Sequence, residues 1–267
     1  MPTNIINFAH ANGFPAGSYQ TLFSYLPENM HVIALDKYGH DPRKAINHNW
    51  QAQVEELITF VEGQQIGTNK VICLGHSFGG VISFIACCQR PDLFKGLIML
   101  DPPVLTGFKA LALKILKKTR WIDKISPAGK TKSRRRYWPL GTDVGAAFSR
   151  RKLFKNFDSR CLNDYIEHGI CERNNQLELV FDTQIETNIF RQMPTHLSSY
   201  KGKLTVPATL IYGAETEAFP QHIFSRFVKL NQHIKLQTTA GGHMFPLERP
   251  EATAKLITDF VNSLPDE

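Results

Sequence analysis

The sequence predicts an α/β protein: a mostly parallel, doubly wound sheet interrupted by an inserted, helical segment. Three observations lead there. Short continuous apolar runs recur with helical patterns between them, as in a parallel sheet covered on both faces. Gly75-His76-Ser77-Phe78-Gly79 stands between the apolar run Val71-Ile72-Cys73-Leu74 and a helix-like segment from Gly80 to Arg90, the order strand, glycine turn, helix. The alternation stops after Pro102-Pro103 and resumes after Thr205-Val206-Pro207.

In chain order, Ile5-Ile6-Asn7-Phe8-Ala9 is the first strand-like run, and His31-Val32-Ile33-Ala34-Leu35 follows, ending at Asp36. Then come Lys70 to Leu74, Gly96 to Leu100, Ala208 to Tyr212 and His233 to Thr238, each bounded by turn residues. Helical spacing marks Asn49 to Glu62, Gly80 to Gln89, Pro220 to Leu230 and Pro250 to Leu264, the last opening on Pro-Glu, a favourable helix start. Between Val104 and Leu204 the chain is basic and aromatic. Helical patterns there cover Phe108 to Lys118 and Arg160 to His168, and no strand–helix rhythm is visible. The expected organisation is a core of residues 1–103 and 205–267 with a helical cap at 104–204. The apolar content of that insert is too high for a disordered linker.

At 267 residues with 42% hydrophobic side chains, a sizeable core can be buried. No stretch approaches the roughly 18–20 apolar residues of a membrane span. Met1-Pro2-Thr3-Asn4 lacks the basic region of a signal peptide. The five cysteines are an odd number, and Cys73, Cys87 and Cys88 fall in core-like segments. They read as buried thiols rather than disulfides or metal ligands, so a cytoplasmic location is the expectation. From Lys109 to Lys155 there are 15 Lys/Arg against Asp123 and Asp143, a balance of +13. The remaining 16 basic and 22 acidic residues leave the rest of the chain at −6. Such a block could be a solvated face, or could attract anionic substrates or acidic lipids, with a weak contact to anionic membranes. No nucleic-acid-binding module is visible.

A serine hydroxyl needs a base, and the base an orienting acid. Glycines flank Ser77 because the sharp turn leaves no room for side chains two residues away. The helix N-terminus behind it and the N–H of Phe78 favour negative charge where an oxyanion forms. His243, in Ala240-Gly241-Gly242-His243-Met244-Phe245-Pro246, lies on a glycine-freed loop after the last strand, at the sheet end that carries Ser77. It is the candidate base. His76 fills the elbow's surroundings, and His40, His196, His222 and His233 are ordinary histidines. Two places suit the acid: Asp101, at the end of Leu97-Ile98-Met99-Leu100, and the loop holding Glu215 and Glu217. The loop Phe8-Ala9-His10-Ala11-Asn12-Gly13-Phe14-Pro15 offers a second oxyanion N–H, assigned to Asn12 with Gly13 or Phe14 as competitors, while His10 braces the loop. Phe14, Tyr38, Phe78 and Met244 are candidates to line an apolar acyl pocket. No metal or organic cofactor is implied.

Together the His10-to-Pro15 loop, Asp36-Lys37-Tyr38-Gly39-His40, Gly75-His76-Ser77-Phe78-Gly79-Gly80 and Gly242-His243 resemble the α/β-hydrolase superfamily over almost the whole chain. The resemblance implies a variable lid at Val104 to Leu204. Two departures stand out. His10-Ala11 replaces the common His-Gly, and Gly213-Ala214-Glu215-Thr216 replaces the usual Gly-x-x-Asp. The second favours Asp101, since a branch that includes some haloalkane dehalogenases carries its acid on the matching earlier strand. Those enzymes resemble this fold with aspartate as nucleophile, where this chain has Ser77.

The expected activity is that of a serine hydrolase acting on carboxylic esters through an acyl-enzyme, with a small-molecule acyl ester as partner. An acyl-CoA-type thioesterase is the rival within enzymes, since a basic cap suits an anionic carrier. Carbon–carbon bond hydrolysis and perhydrolysis use the same triad. A non-catalytic binding protein and a membrane-surface lipase are the rivals from other classes.

Overall fold

A computed structural model describes residues 4–64 and 70–265; Met1–Thr3, which bear on a leader segment, lie outside the described residues. In chain order the strands are β1 Asn4–Ala9, β2 Met30–Ala34, β3 Val71–His76, β4 Phe94–Leu100, β5 Tyr137–Pro139, β6 Ile170–Arg173, β7 Gln176–Leu179, β8 Ala208–Gly213 and β9 Ile234–Thr239. Six form one sheet in the order β2-β1-β3-β4-β8-β9, with every neighbouring pair parallel. Each of the six expected strands is there, with bounds within two residues of those read from the sequence.

The strands are apolar throughout because both faces are covered. Val71, Cys73, Leu97 and Met99 point into one buried cluster, and Ile72, Leu74, Ile98 and Leu100 into the other. Helices Gln51–Glu62, Phe78–Gln89, Gln221–Leu230 and Pro250–Asn262 supply the outer layers. The Phe78–Gln89 helix begins earlier than the apolar spacing predicts. The Ser77 carbonyl already accepts from the N–H groups of Gly80 and Val81, so the helix starts directly behind the serine.

The chain winds from β1 to β2 on one side and returns to place β3 on the other side of β1. The switch point of the sheet therefore lies between β1 and β3, and the loops leaving their carboxyl ends, Ala9 to Phe14 and His76 to Phe78, face each other there.

Between β4 and β8 the chain forms the helices Gly107–Leu116, Ile122–Ile125, Ala128–Lys132, Val144–Ser149, Ser159–Gly169 and Thr183–Arg191. It also forms a small antiparallel sheet of order β5-β7-β6, which corrects the purely helical expectation for this segment. The strands are three or four residues long, too short to show a period of two. The two-residue turn Asn174-Asn175 that joins β6 to β7 has φ of 51° and 60°, as a tight hairpin requires.

Candidate active site

Ser77 sits at φ 52°, ψ −116°, a strained conformation held by packing on both sides. A Cβ at Gly75 would lie 2.3 Å from the Gly79 carbonyl oxygen, and one at Gly79 only 1.9 Å from the Ala9 oxygen. The two flanking glycines therefore let the turn close and let β1 approach it. The Ser77 N–H donates to the Leu100 carbonyl at 2.8 Å, which ties the turn to the end of β4.

His243 and Asp101 meet Ser77 at this edge. His243 Nε2 lies 3.0 Å from Ser77 Oγ, and its Nδ1–H donates to Asp101 Oδ2 at 2.5 Å. With Nδ1 as donor to a carboxylate, Nε2 is left as the acceptor facing the serine. Asp101 is fully buried at φ 44°, immediately beyond β4. Its carboxylate is satisfied by two further donors: the Thr216 hydroxyl at 2.7 Å to Oδ2 and the Gly213 N–H at 3.2 Å to Oδ1. Glu215 and Glu217 are exposed, Glu217 pairs with Lys152 at the surface, and the His243 ring nitrogens bond to Asp101 and Ser77 instead. Thr216 occupies the place of the acid in the usual Gly-x-x-Asp. Its contribution was invisible in sequence because the signal there was a missing aspartate, not a hydroxyl.

Two buried histidines act as struts. His76 Nε2–H donates to the His243 carbonyl at 2.9 Å, and its Nδ1 accepts from the Tyr19 hydroxyl at 2.7 Å. Tyr19 in turn accepts from the Ala11 N–H at 3.3 Å. One chain of bonds thus joins the β1 loop to the His243 loop. His10 Nδ1–H donates to the Ala11 carbonyl at 2.8 Å and Nε2 accepts from the Tyr38 N–H at 2.9 Å. Burial lowers His10 to about 4 and His76 to about 3, so both stay neutral. On the other side of His243, the Glu248 carboxylate accepts from the Gly242 N–H at 2.8 Å.

The oxyanion candidates can be sorted by what their N–H groups already do. Phe14 N–H donates to the Ala11 carbonyl at 3.1 Å. Among the described residues the Asn12, Gly13 and Phe78 N–H groups donate to no protein acceptor. The Asn12 side chain is used elsewhere, Nδ2 donating to the Glu186 carbonyl at 2.9 Å.

A cavity of about 710 Å³ opens above Ser77. Phe14, Phe78 and Met244 line it, as do Trp50, Phe154 and Ile189. Tyr38, expected in this lining, does not reach it. The chain after β2 turns beneath the β1 loop, and the Tyr38 ring is fully buried behind Phe78 and beside His10. Trp50 takes the position over Phe78, with ring centroids 4.8 Å apart, and donates its indole N–H to the Ile189 carbonyl at 2.8 Å. Most of the lining comes from the insert, whose residues meet only on folding and carry no local pattern that marks a pocket.

Among known proteins, the chain is 24% identical over 258 residues to a monoacylglycerol lipase of Xenopus laevis, covering 91% of this chain and 71% of that protein. A monoglyceride lipase of Rattus norvegicus is 32% identical over 127 residues, 43% of this chain and 42% of the relative. An uncharacterised hydrolase of Bacillus subtilis is 24% identical, covering 92% of this chain and 85% of its own. Of solved structures, E-2-(acetamidomethylene)succinate hydrolase superposes with a TM-score of 0.77 at 18% identity over 98% of this chain and 92% of that one, a likeness of fold. The match to the alpha/beta hydrolase family runs over residues 8–256, from β1 into the last helix, and the chain belongs to that family.

Proposed function

We propose that this protein is a serine hydrolase of carboxylic esters. The observation that carries the reading is the alignment of Ser77 Oγ, His243 and Asp101 within hydrogen-bond reach, opening onto an apolar cavity. His243 Nε2 takes the Ser77 proton as Oγ attacks the ester carbonyl. Asp101 fixes the tautomer and stabilises the imidazolium, and the free N–H groups of Asn12 and Phe78 receive the tetrahedral oxyanion. The alcohol leaves with the proton from His243, and water attacks the acyl-enzyme by the same route in reverse. The insert 104–204 acts as the cap over this site. The relatives named as monoacylglycerol lipases support an acyl ester as substrate. Five free thiols fit a reducing, cytoplasmic setting.

The test is hydrolysis of p-nitrophenyl esters of increasing chain length. Wild type turns them over and Ser77→Ala does not, while the chain-length optimum measures the cavity. Equal activity in both proteins would remove the reading.

A second reading concerns where the enzyme works. Among the described residues every exposed large hydrophobic side chain lies between Phe108 and Leu153, including Phe108, Leu111, Ile115, Trp121 and Ile125. Lysines at 109, 114, 118 and 124 are interleaved with them. No helix among the described residues is long and apolar enough to cross a membrane, so an apolar stripe with basic neighbours supports surface contact with anionic lipid. Sedimentation with anionic but not zwitterionic vesicles is expected; indifference to both contradicts it.

A further inference from the structure

Hydrolysis of a neutral ester uses Ser77, His243, Asp101 and two backbone N–H groups. Three cations of the cavity lining, Lys130, Arg134 and Arg151, play no part in it. One lining acid, Glu186, stands against them. Arg134 Nη1 donates to Glu186 Oε1 at 2.8 Å, and Nη2 donates to the Tyr165 hydroxyl at 3.3 Å. Its Nε–H is buried and meets no acceptor. Arg151 stacks over the Phe148 ring, 4.9 Å from its centroid, and Lys130 stands exposed at the edge of the lining. Among the described residues neither has an acidic partner. With Glu186 ionised the lining retains two unbalanced positive charges beside an otherwise apolar volume. Guanidinium groups stay charged at any working pH; Arg134 has Glu186, whereas the half-buried Arg151 has no acid beside it, so an anion in the cavity gains a charge that nothing else neutralises.

The Glu186–Arg134 pair also fixes where such an anion would lie. A Cβ built on Gly13 would come within 2.7 Å of Glu186 Oε1, so the pair rests directly on the loop that carries the Asn12 and Gly13 N–H groups. Arg134 is therefore joined through Glu186 to the loop that bears the oxyanion candidates, and it lines the same cavity as Ser77.

We propose that the cavity is built for an anionic ester, one whose non-reacting part carries a carboxylate or phosphate received by Arg134 and Arg151, with Lys130 at the entrance. This deepens the ester-hydrolase reading and rests on it. Arg134 offers the Nη hydrogens that Glu186 and Tyr165 leave free to the anion's oxygens while keeping Glu186, and Arg151 supplies the charge that Glu186 does not cancel.

The test compares kcat/KM within two pairs of esters that differ in charge: monomethyl against dimethyl glutarate for a carboxylate, and octanoylglycerol phosphate against octanoylglycerol for a phosphate. Wild type should favour the charged member of at least one pair by about tenfold or more, the effect of a charge-assisted hydrogen bond. The pair that shows the preference identifies the anion. Arg134→Met combined with Glu186→Gln removes both charges of the buried pair together, and the preference should fall to near unity through KM. Arg151→Met, which leaves that pair intact, should reduce the preference on its own and serves if the double variant does not fold. Turnover of the neutral members with no preference in either pair overturns the anionic subsite and leaves the hydrolase reading standing. Turnover of none of the four esters by an enzyme that still cleaves p-nitrophenyl esters through Ser77 overturns the subsite alone, and no Ser77-dependent turnover of any ester overturns both.

Discussion

Replacing Asp101 by Asn is the perturbation that probes the site most finely, because the side chain keeps its shape and loses only its charge. The amide can sit in two ways. With its oxygen toward the Gly213 N–H, its NH2 faces Thr216 and His243 Nδ1; the imidazole must then carry its proton on Nε2 and cannot accept one from Ser77. With its oxygen toward His243, its NH2 confronts the Gly213 N–H, at a cost of about 1–3 kcal/mol for an unpaired buried donor. The first orientation therefore prevails. Losing the carboxylate also removes about 1.5–3 kcal/mol of charge-assisted bonding to the imidazolium. The two effects together correspond to a fall in kcat/KM of between about a hundredfold and ten-thousandfold. The structure also suggests a rescue. The Thr216 hydroxyl and His243 Nδ1 bond to the same oxygen, so they are no more than about 5 Å apart. Adding Thr216→Asp to Asp101→Asn should restore a carboxylate to His243 and recover activity by about tenfold or more. The assay is kcat/KM on p-nitrophenyl butyrate, with the melting transition recorded for each variant. A folded Asp101→Asn within about tenfold of wild type would refute the reasoning. So would a comparable loss on removing the exposed Glu215 and Glu217.

The remaining predictions concern stability. Gly79→Ala would put a methyl group 1.9 Å from the Ala9 carbonyl oxygen, a backbone atom that cannot step aside; a loss of more than about 3 kcal/mol in urea unfolding is expected, and a neutral effect would contradict the close approach of β1 to the elbow. Acid should destabilise through His10 and His76. Unfolded histidines protonate below about 6.5 while these two stay neutral down to about 4 and about 3, so stability is intact above 6.5 and is lost as pH falls. At pH 5 each contributes a loss on the order of 2 kcal/mol, and His10→Gln should shed about one proton from the pH slope; an unchanged slope would contradict its neutrality. Glu56 opposes them. Burial raises its carboxyl to about 7, against an accepted bond from the Gly39 N–H, so the folded state binds this proton more tightly and gains stability as pH falls from 7 toward 4.5. Glu56→Gln should therefore steepen the acid destabilisation in that window, and a shallower profile would reverse the assignment.

Much of the fold could be read in advance because the parallel sheet is written locally. Val71 to Leu74 and Leu97 to Leu100 are continuous apolar runs buried on both faces, and no helix of that composition would be so short. Gly75, Ser77 and Gly79 were legible for the same reason, since a strained turn demands its residues within five positions. His243 was legible from its glycines and its place after the last strand. The rest depended on contacts that no short window contains. Tyr38 looked like a pocket residue and was drawn behind Phe78 by the bond from its own N–H to His10. Trp50, at φ 60° on the edge of a helix, gave no hint that it would cover Ser77's neighbour. The Arg134–Glu186 pair joins residues 52 positions apart across two parts of the insert, and the basic block around Arg134 read equally well as a solvated face.

The central claim is that Ser77 is the nucleophile. An activated fluorophosphonate, with intact mass and peptide mapping, tests it most directly. The account predicts one adduct per chain, located on Ser77, absent from Ser77→Ala and strongly slowed in Asp101→Asn. An adduct on another residue, or equal labelling of Ser77→Ala, would contradict it.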